Sequence, residues 1–217
     1  MPHTTISPSQ LFWGNMVVLM TTENPDGSPN ISPMSSAWWF AHRSVLGVLA
    51  MSQTAQNMLR NKKCVLNLAS QDMTSSVNLL ARTTGVSPVP DFKAAMGYVC
   101  VKDKFEHAKL TLQESAIGGP PRVKECKVQM ECEVVAWTEM MADLPDKKGV
   151  MLSFEVKILK THVLDEIRLE GYENRIDADK WHPMYHVFSQ YYGGGEKLTE
   201  TSELAKIDPE MYRAVVE

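Results

Sequence analysis

Short apolar runs separated by polar turns make up most of the first 70 residues, a pattern typical of β-strands. Residues 16–22 and 30–32 flank the sequence NPDGSP at residues 24–29, where Asn, Pro, Asp and Gly favour a tight turn. These two runs therefore predict a β-hairpin. Runs of strand-forming residues predict three further strands, at residues 37–41, 45–51 and 64–68.

One segment of this half has helical periodicity instead. Within residues 54–63, Ala55, Met58 and Leu59 fall on one face of a helix. The preceding Ser52-Gln53-Thr54 offers hydroxyl groups that can cap the first amides of that helix. Weaker helical patterns, each only about two turns long and dependent on packing, occupy residues 74–81 and 91–98.

The second half of the chain adds two longer strands and a helical tail. Residues 127–137 alternate apolar and polar positions, and residues 150–163 are rich in Val, Ile and Leu. The tail, residues 201–216, has a helical pattern in which Pro209 marks a second start. Many strands with few short helices predict a mainly β (α+β) fold, a closed barrel with peripheral helices, since an open sheet would expose its edges.

Composition narrows the class of protein. The chain has 217 residues, of which 44% are hydrophobic, enough for a core in one domain, and a net charge of −4. It lacks the basic excess of a nucleic-acid binder, an apolar run that could cross a membrane, and a secretory signal pattern, so we expect a cytoplasmic protein. The four cysteines have no metal-ligand spacing, so we expect no metal site.

Common nucleotide and hydrolase motifs are absent, since the chain contains no GxGxxG, GxxxxGK[ST] or GxSxG sequence. Two other segments offer polar groups to a ligand. Residues 30–37 interrupt a strand pair with small polar residues and one proline, and residues 52–55 place hydroxyl groups at a helix start, where partial positive charge favours phosphate. Helix capping and an ordinary bulge at Pro33 are the structural alternatives for these two segments.

Several segments, in order and spacing, resemble the flavin reductase-like, FMN-binding split-barrel family, which includes flavoredoxin-like proteins. The first three are Asn30-Ile31-Ser32-Pro33-Met34-Ser35-Ser36-Ala37-Trp38, Ser52-Gln53-Thr54-Ala55-Gln56-Asn57 and Cys64-Val65-Leu66-Asn67-Leu68. The later ones are Asp103-Lys104-Phe105, Leu110-Thr111, Pro120-Pro121-Arg122-Val123 and Glu131-Cys132. The resemblance covers most of residues 15–163.

The resemblance implies a homodimeric split β-barrel, with residues 1–217 as a single FMN-binding domain that ends in an extension from about residue 178. In the family, the segment matching residues 30–38 follows the isoalloxazine and ribityl chain, and the segment matching residues 52–57 receives the phosphate. The cofactor-binding residues implied for this chain are Asn30, Ser32, Pro33, Met34, Ser35, Ser36, Ala37, Trp38, Ser52, Gln53, Thr54, Ala55, Asn57 and Lys104.

Individual residues qualify this picture. Gln53 stands where family members often have Arg or Lys, so Lys104 is expected to supply charge for the phosphate; the alternative is a solvated surface lysine. Trp38 and Trp39 face opposite sides of a strand, so at most one of them can stack on a flavin, and we expect Trp38 to do so. The alternative is that both are core or interface residues. Residues 181–186 resemble the C-terminal piece of the family that approaches the cofactor, which implies that its two histidines donate to substrate; the alternative is aromatic packing across a dimer interface.

The implied function is that of an oxidoreductase that passes electrons from NADH or NADPH through non-covalent FMN to an acceptor, which includes a partner monooxygenase. No catalytic side chain is assigned, because the cofactor supplies the hard chemistry in such an enzyme. The alternative is a flavin-binding or carrier protein without turnover, or one that binds another flat ligand.

Overall fold

The computed structural model describes residues 1–198 and 202–211. Strands and short helices alternate along the chain. The strands are β1 (Trp13–Met16), β2 (Val18–Glu23), β3 (Pro29–Met34), β4 (Ala37–Phe40), β5 (Arg43–Leu49), β6 (Lys63–Leu68), β7 (Thr83–Thr84), β8 (Val99–Cys100), β9 (Leu112–Gln113), β10 (Arg122–Val123), β11 (Val128–Glu139), β12 (Met151–Val163), β13 (Met184–Val187) and β14 (Gln190–Gly193). The α-helices are α1 (Gln53–Asn61), α2 (Thr74–Leu80), α3 (Asp91–Ala95) and α4 (Lys104–His107).

Seven of these strands form one antiparallel sheet in the order β3-β2-β6-β11-β12-β5-β4. The sheet curls round a shared core as a split barrel. Its two edge strands, β3 and β4, are consecutive in the chain and joined only by Ser35 and Ser36. We call the gap between these two edges the split. A separate three-stranded sheet, β1-β13-β14, brings the C-terminal part of the domain next to it.

Alternation along β2 shows how the two hydrophobic clusters arise. Val18 and Met20 point into the barrel core, where they meet apolar residues of the other barrel strands and of α1. Val17 and Leu19 point the other way, into a second cluster with α2 and the region around α4. All four side chains are at least 97% buried, so β2 is covered on both faces.

Most strand and helix predictions are confirmed. The hairpin pairs β2 with β3, and the Asn24 amide donates to the Ser28 carbonyl across its turn at 2.8 Å. The predicted helix after Ser52 is α1, and the strands at residues 37–41, 45–51 and 64–68 are β4, β5 and β6. The long strand β11 begins one residue after its predicted start and ends two residues beyond its predicted end. Strand β12 begins one residue after its predicted start and ends as predicted.

Two helix predictions differ from the structure. Helix α3 ends at Ala95 instead of Tyr98, because Gly97 adopts φ +78° and cannot continue a right-handed helix. The predicted tail helix lies partly outside the described residues, at 201 and 212–216; between them the chain forms the 3-10 helix Glu203–Lys206. Among the described residues, no helix has the length and apolarity needed to span a bilayer.

Candidate functional site

The start of α1 opens onto a cleft of about 230 Å³. Ser52 caps the helix, since its Oγ accepts a hydrogen bond from the Ala55 amide at 3.1 Å. Ser52 and the buried Thr54 also line the cleft, so this corner is open to a ligand as well as capped. The first amides of a helix lack intrahelical acceptors and carry partial positive charge, which favours an anion here.

A chain of hydrogen bonds connects Thr54 to a buried lysine. Asn30 donates from Nδ2 to Oγ1 of Thr54 at 3.2 Å and to Oγ1 of Thr22 at 3.1 Å. Its Oδ1 accepts from Nζ of Lys104 at 3.2 Å, and the same ammonium donates to the Ile31 carbonyl at 3.1 Å. Because Thr54 accepts from Asn30, its own hydroxyl proton is available to a ligand in the cleft.

Lys104 is 4% exposed, so the surface alternative does not describe it. Burial, reinforced by repulsion from Lys93, lowers the pKa of Lys104 to about 8. Lys93 lines the cleft itself, is 9% exposed, and has its Nζ 5.6 Å from the centre of the Tyr98 ring. Burial lowers the pKa of Lys93 as well. Among the described residues no carboxylate lies within 4.0 Å of either ammonium, so neither lysine has a counter-charge there.

The opposite wall of the cleft is formed by β3 and the link to β4. Ser32, Pro33, Met34 and Ser36 line it. The link is fixed to β5, since the Gly47 amide donates to the Ser36 carbonyl at 2.8 Å and Oγ of Ser36 donates to the Gly47 carbonyl at 2.5 Å. This segment therefore presents backbone and small side chains to the cleft in a fixed geometry.

Ser35 lies within the same link but is directed elsewhere. It is 8% exposed, and its Oγ is 3.0 Å from Nδ1 of His186 on β13. The His186 ring packs between Phe12 and Tyr191, with centroid distances of 4.8 and 6.0 Å. Burial lowers the pKa of His186, so the imidazole is neutral at pH 7. The C-terminal piece thus contacts the link from behind.

Other residues from the sequence prediction lie outside the cleft wall. Ala37 and Ala55 are packed in the barrel core. Asn57 is fully buried, where it donates to Thr22 and Asn24 and accepts from Gln53, so it supports α1. Gln53 and Asn30 line a neighbouring cleft of about 390 Å³ instead.

The two tryptophans of β4 have different environments. Trp38 is 58% exposed on the outer face of the barrel, in a shallow pocket with Phe40 and Arg43. Trp39 packs against the barrel core, and its buried indole N–H has no hydrogen-bond partner among the described residues. The structure therefore does not bring Trp38 together with the residues of the cleft.

Sequence reasoning missed three polar side chains of the cleft, those of Thr83, Lys93 and Tyr98. Lys93 belongs to the five-residue helix α3, where its neighbour Phe92 is the residue that an apolar pattern would bury. The fold does the reverse, leaving Phe92 46% exposed and Lys93 covered. No local signal marks this inversion, because it is set by how α3 packs on the barrel.

The donor set of the cleft fits the phosphate and chain of FMN. The start of α1, Thr54 and Lys93 line one cleft, and no carboxylate of the described residues lies within 4.0 Å of the Lys93 ammonium. The apolar side chains of Met20, Val48 and Leu80 line the same cleft. Mixed apolar walls and a few convergent polar groups are typical of a cofactor site. No group of three or more potential metal ligands occurs among the described residues.

Comparison with known proteins gives an independent result. A family model described as "Flavin reductase like domain" matches residues 13–195. The chain is 35% identical over 196 residues to the uncharacterized protein YdfE of Bacillus subtilis (strain 168), and the alignment covers 90% of this chain and 91% of YdfE.

Two solved structures share the architecture. Nitrilotriacetate monooxygenase component B from Bacillus cereus superposes with a TM-score of 0.72 at 19% identity, over 92% of this chain and 99% of that one. Flavoredoxin of Desulfovibrio vulgaris (Miyazaki F) superposes with a TM-score of 0.73 at 15% identity, over 94% of this chain and 98% of that one. At these identities the superpositions establish the split-barrel fold alone.

Proposed function

This chain belongs to the flavin reductase-like domain family, and on that premise we propose that it is an oxidoreductase that binds FMN in the cleft at the start of α1. Family membership supports a flavin-related oxidoreductase function. The finer proposal is that electrons pass from NADH or NADPH through non-covalently bound FMN to an acceptor.

One observation carries the proposal: the buried Lys93, which has no carboxylate within 4.0 Å in the described part of the chain, lines the same cleft as the N-terminus of α1. Burying an ammonium without a counter-charge is unfavourable, so a site that retains one is suited to an anionic ligand. The phosphate of FMN carries that charge. Lys93, the Thr54 hydroxyl and the first amides of α1 would hold it, and Lys104 would add charge from behind Asn30.

The β3 side of the cleft would hold the ring. Pro33 and Met34 offer apolar contact to a flat ligand, and the backbone near Ser36 offers fixed polar groups to its edge. Bound FMN would supply the redox chemistry, taking up two electrons from a nicotinamide and releasing them to the acceptor. The protein supplies binding, orientation and charge.

We also propose that the acceptor is a separate protein or small molecule, a partner monooxygenase included. The structural similarity to a protein named as a monooxygenase component B supports that choice. A homodimer is part of the proposal, supported by the exposed aromatic residues Trp38 and Phe40 on the edge strand β4. A cytoplasmic location stays a prediction of the sequence.

The test combines flavin binding with turnover. Purified protein is titrated with FMN by fluorescence quenching, and oxidation of NADH and of NADPH is then followed in air with and without FMN. We expect saturable FMN binding and FMN-dependent oxidation of at least one nicotinamide above the rate of free FMN. Binding without oxidation would favour the carrier function, and absence of binding would contradict the proposal.

A further inference from the structure

We infer that His186 is a positioning residue, which acts through the Ser35 hydroxyl to fix the backbone of the β3–β4 link against the flavin ring. The inference rests on the proposed function, since it concerns FMN in the same cleft. By this inference, the three-stranded sheet β1-β13-β14 helps to set how strongly the site prefers reduced over oxidised FMN.

The first step is the placement of Ser35. Met34 and Ser36, on either side of it, line the cleft, while the Ser35 side chain is buried and bonded to His186 at 3.0 Å. Because its neighbours form the cleft wall and its own side chain is hydrogen-bonded on the other side of that wall, Ser35 holds the wall in place. Moving Ser35 would move the backbone on both sides.

The second step is the rigidity of His186. Its strand β13 is paired on both sides, with Asn15 of β1 and Tyr191 of β14 as the register partners of His186. Phe12 and Tyr191 also contact the ring, so its orientation is set by packing. A ring held in this way gives Ser35 a fixed partner, whichever of the two groups donates the hydrogen bond.

The third step is that the link is held from the other side too, by the two hydrogen bonds between Ser36 and Gly47. A link fixed at both residues keeps its backbone donors in one orientation. Fixed donors stabilise negative charge that develops on a ligand, because they need no reorganisation when that charge appears. Reduced FMN carries more negative charge on its ring than oxidised FMN, so loosening the link should weaken binding of the reduced form more.

The experiment compares Ser35→Ala, His186→Leu and His186→Asn in the full chain. The amide of Asn can replace Nδ1 as a hydrogen-bonding partner, whereas Leu cannot. Affinities for oxidised FMN and, without oxygen, for reduced FMN are measured, together with the two-electron midpoint potential of the bound flavin. Ser189→Ala is the matched control, since it removes another hydroxyl contact, from the turn between β13 and β14 to Gln10.

We expect Ser35→Ala and His186→Leu to lower the ratio of reduced to oxidised affinity about tenfold, which corresponds to a potential about 30 mV more negative for a two-electron couple. His186→Asn and Ser189→Ala should keep the wild-type ratio. Ser35→Ala removes only one oxygen atom, so it decides the result if His186→Leu does not fold.

Two results would overturn the inference while leaving the proposed function intact. One is an unchanged affinity ratio and potential in folded Ser35→Ala. The other is a defect of His186→Asn equal to that of His186→Leu, which would show that the ring matters only for packing. If the wild-type protein binds no FMN in either state, the inference and the proposed function both fall.

Discussion

Asn30 and Lys104 are joined by a hydrogen bond of 3.2 Å inside the protein, 74 residues apart in the chain. Asn30 in turn donates a hydrogen bond to Thr54 at the start of α1. A buried ammonium is thereby connected to the mouth of the cleft through one neutral amide. We therefore expect ligand binding at this corner to depend on the protonation of Lys104.

We predict that FMN binding weakens as pH rises through about 8, the pKa that burial gives Lys104. Below that pH Lys104 carries its charge and attracts the phosphate. Above it Lys104 loses its proton, well before an ordinary lysine would. Between pH 7 and pH 9.5 the dissociation constant should rise about tenfold, measured by fluorescence titration. Lys104→Met should flatten the profile, and a flat wild-type profile would contradict this prediction.

Thr54→Ala should weaken FMN binding by about 1–3 kcal/mol, because a charged phosphate would lose a hydroxyl donor. Thr54→Ser keeps the hydroxyl and is the matched control, for which we expect nearly wild-type affinity. Isothermal calorimetry on the folded variants measures their affinities for FMN. Equal affinities of wild type and Thr54→Ala would mean that this hydroxyl serves only Asn30.

Lys93→Met should have opposite effects on the free and the FMN-bound protein. Burial lowers the pKa of Lys93, so its charged form costs stability at neutral pH, and the variant without FMN should unfold at a higher temperature. Its FMN affinity should fall about tenfold through loss of the phosphate contact. Thermal unfolding with and without FMN measures both effects. Lys124→Met, at an exposed lysine, is the control. If Lys93→Met binds FMN with wild-type affinity, Lys93 is not part of the site.

The buried carboxylate of Glu131 should contribute to stability against acid. Glu131 is 1% exposed and accepts hydrogen bonds from His162 at 2.6 Å and from the Ala116 amide at 3.0 Å. Burial alone would raise its pKa, but these bonds, with others from Ser115 and Ile117, lower it on balance. A lowered carboxyl pKa contributes stability above the unfolded pKa, near 4.5, and this contribution is lost as pH falls.

Glu131→Gln should therefore destabilise the protein by about 3 kcal/mol at pH 7, with the difference from wild type shrinking below about pH 4.5. Urea unfolding at several pH values measures this. Glu155→Gln, at an exposed ion pair with Arg43, is the control and should change stability by less than about 1 kcal/mol. If the free energy of unfolding of Glu131→Gln differs from that of wild type by the same amount at pH 3 and pH 7, the charge of Glu131 does not stabilise the protein.

The proposed homodimer gives a further prediction. Trp38 and Phe40 are 58% and 66% exposed on the edge strand β4, and large exposed aromatic groups often anchor interfaces. Replacing both with serine should raise the dimer dissociation constant at least about tenfold in analytical ultracentrifugation. Leu112→Ser, another exposed apolar residue, should leave it unchanged. A wild-type monomer at high concentration would contradict the proposal.

The sequence predicts those parts of this structure that depend on local chemistry. The turn at residues 24–29 and the cap at Ser52 follow from residues that favour one backbone geometry in any context. The segment at residues 30–38 was also identified as a candidate site, and four of its residues line the cleft.

Contacts between distant residues could not be predicted in this way. Nothing in the sequence around Lys93 shows that it is buried and lines the cleft, and nothing around Ser35 points to His186, 151 residues away. The exposure of Trp38 likewise depends on which face of β4 the barrel covers. These features follow from strand order and packing, which a single sequence does not contain.

The split has a consequence for how the domain can diverge. A fully closed barrel would use every amide and carbonyl of β3 and β4 within its ladder, whereas in the described part of the chain each of these two strands has a strand partner on one side only. Recognition there can rely on main-chain atoms, which are the same for every side chain. Main-chain recognition at β3 and β4 therefore survives replacement of most surface side chains. Distant homologues can keep a common ligand geometry there while the side chains that contact partners change.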